Sequence, residues 1–194
     1  MNFSERKLLA KKDQIVSTAI SVIKRRGYEG ATMEEIAAEL LMTKGSLYYY
    51  FKSKGELMYH CYNFVLSQAT EALEVELQRG GTAEEILRNM IAKHIDYAID
   101  EKETFNLIIE PKRTFDQEQL EPVLQLRKYY AGLFDEIITI GIESQEFHVK
   151  EPLIARMMIL GAMNWIQQWY QTNGRMDKAQ LQETFSEYIL KILK

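Results

Sequence analysis

Only three prolines interrupt this chain of 194 residues, at positions 111, 122 and 152. Between them apolar residues recur every three or four positions, and no stretch alternates apolar and polar residues long enough to make a strand. That pattern leaves one fold class, all-α. The punctuation between segments divides it into about nine helices. A first helix spans about 4–26, with Ile15, Val16, Ala19, Ile20 and Ile23 as its apolar stripe, Lys24, Arg25 and Arg26 in its last turn and Gly27 just beyond its end. Thr32 caps a second helix whose inward face is Ile36, Ala37 and Leu40, and Glu35 completes a capping-box pattern. Thr43 caps a third, running from Lys44 to Phe51.

Longer helices follow. The spacing predicts one from Lys54 to Arg79, stopped by Gly80-Gly81, and one capped by Thr82 that reaches about Asp100. A short apolar piece, Thr104 to Glu110, ends at Pro111. Gln117 to Glu143 reads as a helix whose start Pro122 can shorten, and Pro152 opens another that runs to about Gln171. Asp177 caps the last, through Leu193, with Leu181, Phe185, Tyr188, Ile189 and Ile192 on its apolar face.

Charge and cysteine content narrow the partners. Residues 1–58 carry ten Lys and Arg against seven Asp and Glu, a balance of +3. The remainder carries fourteen against twenty-one, a balance of −7, and together they give the −4 of the whole chain. A basic head on an acidic body suits contact with a polyanion through the head alone. The single cysteine, Cys61, excludes an internal disulfide and reads as a small buried apolar residue. No apolar run is long enough to span a bilayer, and residues 1–12 lack an apolar signal region, so a cytoplasmic protein with no membrane partner is expected.

The segment MTKGSLYYYFKSKGEL, residues 42–57, sets three consecutive tyrosines among glycine and lysines. With Leu47 taken as the buried direction and steps of about 100° per residue, Phe51 falls on the inward side, while Gly45, Ser46, Tyr48, Tyr49 and Lys52 fall on the outward arc. Tyr50 lies about 60° from Leu47 and can be partly buried. Two short helices joined by a tight turn and backed by a longer one form a helix-turn-helix pattern. Its outward arc offers hydroxyls and ammoniums for phosphate oxygens, with Lys44 and Ser46 best placed for base edges and Gly45 permitting close approach in a major groove. Lys54 adds a charge at a helix N-terminus, which itself favours phosphate. The competing reading of the tyrosines is a protein–protein surface.

TMEEIAAELLMTKGSLYYYFKSKGEL resembles the DNA-binding region of the TetR family of bacterial transcriptional regulators, over about residues 12–58. The resemblance implies a DNA-binding homodimer with a helix-turn-helix domain at 1–53 and an effector-binding and dimerisation domain at 54–194. Thr32, Thr43, Lys44, Gly45, Ser46, Tyr48, Tyr49, Tyr50 and Lys54 would form the face on a palindromic operator in double-stranded DNA. Repression, released by a small molecule, is the family's usual mode. The family usually has glycine where this chain has Leu41. A left-handed residue there would cost leucine roughly 1 kcal/mol or more, so either the turn avoids positive φ or it tolerates strain.

In TetR-like proteins the effector lies between the middle helices, which here offer Phe105, Leu107, Ile108, Ile109, Tyr129, Tyr130 and Phe134, a lining suited to a hydrophobic or aromatic ligand. The family's last two helices pair with those of a second copy, which assigns 152–171 and 178–193 to the dimer. Trp165 and Trp169, four residues apart, can serve either the pocket or the dimer core. The pattern Gly161, Asn164, Trp165, Trp169, Tyr170, Gly174 resembles members that sense acyl-CoA thioesters and govern lipid breakdown.

An enzyme finds little support. His60, His94 and His148 have no metal-ligand spacing, and the chain holds no HExxH, CxxC, phosphate-binding glycine loop or GxSxG. No metal and no cofactor is expected. The remaining alternative is a helical ligand-binding or adaptor protein without specific DNA binding.

Overall fold

The computed structural model describes residues 2–106 and 115–194, with the side chains of Phe105 and Asn106 outside that description. Among the described residues there are nine α-helices and no strands: α1 (Phe3–Gly30), α2 (Met33–Glu39), α3 (Lys44–Tyr50), α4 (Lys54–Gln78), α5 (Ala83–Asp100), α6 (Lys102–Asn106), α7 (Gln117–Glu143), α8 (Pro152–Trp169) and α9 (Lys178–Leu193). They belong to two compact units, Met1–Val65 with Glu103–Val123, and Leu66–Lys102 with Leu124–Lys194. No helix among the described residues is long and apolar enough to cross a membrane.

In the first unit, regular helical backbone ends where the sequence places it. Gly27 takes φ 71°, ψ 169°, a conformation open to glycine, and the Ala31 N–H closes the end on the Gly27 carbonyl. Ile15, Val16, Ala19, Ile20, Val22 and Ile23 of α1 are buried. With them in this unit's core lie Met33, Ile36 and Ala37 of α2, Leu47 and Phe51 around α3, and Leu57, Met58, Cys61 and Tyr62 of α4. Leu40 is only half-buried, and Met33 takes the inward place. The Tyr62 ring packs on Phe115 at 5.3 Å. Cys61 is fully buried, which pushes its thiol pKa up to about 12 and leaves it inert as a nucleophile.

The second unit is built on α5, whose buried row Ile86, Leu87, Met90, Ile91, Ile95 and Ala98 packs against both α8 and α9. Thr82 and Glu85 form a full capping box at the start of α5, and Asp177 and Gln180 do so at the start of α9. Pro122 does not shorten α7, which begins at Gln117 and carries the proline inside it. Asp116 secures that start by accepting the Gln119 N–H at 3.0 Å. At the other end the Phe147 ring lies so close over Gly141 that no larger residue fits there.

Candidate functional site

The outward arc of α3 is assembled by its caps. The Thr43 hydroxyl accepts the Ser46 N–H at 3.1 Å and lies 2.8 Å from the Ser46 hydroxyl, so both oxygens are fixed at the helix start. Leu47 and Phe51 are fully buried and anchor the helix, while Thr43, Lys44, Gly45, Ser46 and Tyr49 are exposed. Tyr48 and Tyr50 are half-buried, and the Tyr49 and Tyr50 rings meet edge-on at 5.2 Å. The α3 face therefore has the composition read from the helical wheel: small groups at the N-terminus, then aromatic rings with hydroxyl tips.

Charges around this face are more balanced than the sequence suggests. Each glutamate of α2 pairs with a cation: Glu39 with Arg25 at 2.9 Å, Glu35 with Arg26 at 3.0 Å, and Glu34 with Lys44. The Thr32 hydroxyl does cap α2 by accepting the Glu35 N–H at 3.2 Å. The Glu35 carboxylate, however, goes to Arg26, so the reciprocal half of the expected capping box is not made. The hydrogen bond from Lys44 draws the Glu34 carboxyl below its usual range and in turn raises the Lys44 ammonium. Lys44 also stands 5.8 Å over the Tyr48 ring.

Lys54, at the first position of α4, donates to the Tyr28 carbonyl at 2.6 Å and lies 4.4 Å over the Tyr28 ring. It thus ties α4 to the residues that follow Gly27. Ser53, which the sequence reading passed over, caps α4 next to this face. Its hydroxyl accepts the Glu56 N–H at 3.0 Å, and the Glu56 carboxylate accepts the Lys52 N–H, which caps α4 beside the exposed Lys52. The signal was available as Ser-x-x-Glu.

Of the residues assigned to an effector, Leu107, Ile108 and Ile109 lie outside the described residues, as does the side chain of Phe105. Tyr130 and Phe134 of α7 are buried in the second unit against His94 of α5. The Tyr130 hydroxyl and His94 Nδ1 are 2.8 Å apart, and the Asn164 side chain of α8 acts on the same ring in the direction that favours its protonated form. Burial holds the His94 pKa down at about 4, so the ring is neutral at pH 7. Tyr129, the neighbour of Tyr130, faces outward and donates to Glu74 at 2.5 Å. Trp165 and Trp169 are 63% and 48% exposed. Among the described residues no group of three or more His, Cys, Asp or Glu comes together to hold a metal ion.

Two family models match the chain. One, described as bacterial regulatory proteins of the tetR family, covers residues 15–61, the helix-turn-helix unit. The other, described as the tetracyclin repressor-like C-terminal domain, covers residues 80–193, more than half the chain. The chain belongs to the TetR family. It is a DNA-binding transcriptional regulator of that family, whose members are regulators rather than enzymes. Its relatives include the fatty acid metabolism regulator protein of Bacillus subtilis (strain 168), 28% identical over 184 residues that cover 91% of this chain and 92% of the relative. The crystal structure of FadR from Bacillus subtilis in complex with stearoyl-CoA has the same fold, with a TM-score of 0.75 at 24% identity over 93% of this chain and 98% of that one. So does that of AibR in complex with isovaleryl coenzyme A and operator DNA, with a TM-score of 0.75 at 24% identity over 94% and 97%.

Proposed function

We propose that the chain is a homodimeric repressor that binds a palindromic operator through residues 1–53 and is released from it by an acyl-CoA held in residues 54–194. The capped, outward arc of α3 supports the DNA half of this reading: Thr43 at the cap and Lys44, Gly45, Ser46 and Tyr49 on one short helix all stand free of the core. Thr32, Tyr48, Tyr50 and Lys54 complete the proposed face, Lys54 by fixing the start of α4 as well as by its charge. Hydroxyls and ammoniums fix register on phosphates, and the α3 N-terminus meets base edges.

The observation that carries the effector class is the similarity, along nearly the whole chain, to a fatty acid metabolism regulator. The FadR and AibR structures were solved with stearoyl-CoA and isovaleryl coenzyme A respectively. Tyr130 and Phe134, with Phe105, Ile108 and Ile109 from the sequence, are the residues proposed to surround the acyl chain, while Tyr129, turned outward onto Glu74, is left out of that lining.

Dimerisation is supported by an exposed apolar row on α8. Leu153, Ile154, Met157, Met158 and Trp165 are each more than half exposed, and Tyr188 and Ile192 of α9 add to it. Gly161 lies in this row with open space where a side chain would stand, which lets a second helix approach closely. A soluble monomer seldom exposes so many large apolar groups on one helix, and a two-fold pairing of α8 and α9 with a second copy covers them. On this reading Trp165 and Trp169 serve the dimer. Effector binding then shifts α4, which supplies residues to both units, and the spacing of the two α3 helices no longer matches the half-sites.

The test is release of operator DNA in a titration with a series of acyl-CoAs, beside free coenzyme A and free fatty acids. Release by acyl-CoAs of a defined chain length, and not by the two fragments, is expected. Release by neither acyl-CoA nor fatty acid would remove the lipid-effector assignment while leaving the DNA reading intact.

A further inference from the structure

The turn between α2 and α3 ends α2 with two hydrogen bonds, from the Leu41 N–H to the Ala38 carbonyl at 3.0 Å and from the Met42 N–H to the Ala37 carbonyl at 2.8 Å. This closing motif places one residue in the left-handed region, where glycine is the usual occupant. Here the residue is Leu41, at φ 54°. A β-carbon is strained there, and a leucine could recover that cost only by burying its side chain. It buries none: Leu41 is 97% exposed, the most exposed large apolar residue among those described. Neither the local backbone nor the core of its own unit gains from leucine at this position.

The position of the side chain supplies the missing partner. Leu41 lines an open hollow with Met42, Thr43, Ser46, Tyr49 and Tyr50. Thr43 caps α3, and Ser46 and Tyr49 are on its outward arc, so Leu41 stands beside the groups proposed to face DNA. Its side chain has no hydrogen-bonding group, so it cannot hold a phosphate. In the major groove the apolar feature of a base pair is the thymine 5-methyl group, which cytosine lacks.

We propose that Leu41 is a specificity residue that packs against a thymine 5-methyl group in each operator half-site, within the hollow it shares with Ser46 and Tyr49. The inference rests on the DNA-binding reading above and adds to it a base preference carried from outside the recognition helix. The strained leucine is kept for a contact made only in the complex, and the head would be more stable with glycine in its place.

The experiment uses an operator fragment selected by the wild-type protein from genomic DNA. Each thymine is replaced by deoxyuridine, symmetrically in both half-sites, which removes the 5-methyl group and leaves base pairing intact. Affinity is measured for the wild type and for Leu41→Gly, with thermal melting as the control for folding. Burying one methyl corresponds to about fourfold in affinity, or about sixteenfold for two half-sites. The wild type is expected to lose about that factor at one symmetric thymine position. Leu41→Gly should bind the natural operator more weakly, be insensitive to deoxyuridine at that position, and melt no lower than the wild type. Equal operator affinity of the two proteins, or identical deoxyuridine profiles, overturns the proposal with the DNA reading untouched. Failure of the wild type to select any operator overturns both.

Discussion

Lowering the pH should weaken the second unit through one residue, His94. Its side chain is 1% exposed, and burial depresses its pKa from 6.5 in the open chain to about 4 in the fold. The neutral ring is the form that the core accepts, with Nδ1 paired to the Tyr130 hydroxyl at 2.8 Å, and burial outweighs the opposing influence of Asn164, which favours the protonated ring. Above pH 6.5 both the folded and the unfolded chain hold a neutral imidazole, so the residue imposes no pH dependence. Between pH 6.5 and 4 the unfolded chain takes up a proton that the folded chain refuses, and stability falls as pH falls. At about 1.4 kcal/mol per pH unit the loss comes to about 3 kcal/mol, which for a chain of this size lowers Tm by roughly 6–12 °C. His60, whose pKa burial also lowers, adds to the slope with the same sign. The carboxyl groups of Glu84 and Glu146, held low by their hydrogen bonds, lose their contribution only below the ordinary carboxylate range. The difference between wild type and His94→Gln therefore isolates His94. Melting followed from pH 7.5 to 4.5 should show a steeper fall in the wild type, with the two proteins converging as pH drops. Parallel melting curves over that range would refute the assignment of a buried neutral imidazole.

Three further outcomes follow from single contacts. Glu34→Gln removes the carboxylate that engages Lys44, so operator affinity should rise and the slope of log affinity against log salt should steepen by about one; unchanged binding would place Lys44 away from the phosphates. Gly141→Ala drives a methyl into the buried Phe147 ring and should lower stability by roughly 1–3 kcal/mol in denaturant melts, whereas a neutral effect would mean the α7 end repacks freely. Met158→Glu sets a charge in the exposed row of α8 and should convert a dimer to a monomer in sedimentation; a dimer that persists would locate the interface elsewhere.

Helix limits were legible wherever the side chains that set them are local. Gln117–Glu143 matches the sequence reading, and α5 and α9 start at the capping boxes formed by Thr82 with Glu85 and by Asp177 with Gln180. The same pattern at Thr32 and Glu35 is only half made, because Arg26, nine residues earlier, takes the Glu35 carboxylate. On α3 the helical period alone separated Leu47 and Phe51 from the outward arc, since a short capped helix has one buried stripe. Contacts between residues far apart in sequence left no such trace. Lys54 reaches the Tyr28 carbonyl 26 residues away, and His94 meets Tyr130 36 residues away. Tyr129 and Tyr130 look alike in sequence, yet one is half exposed and the other buried, because neighbouring positions on a helix point about 100° apart. Leu41 could be flagged as a departure from glycine, but only the backbone shows that the left-handed conformation is kept.

The most direct test of DNA reading by α3 is selection of genomic fragments on the immobilised protein at low and high salt, with Tyr48→Ala/Tyr49→Ala in parallel. One or a few palindromic sites should be recovered by the wild type, weakened by salt and lost in the double variant. Equal recovery of the same sites by the variant would contradict the central claim that the outward face of α3 reads the operator.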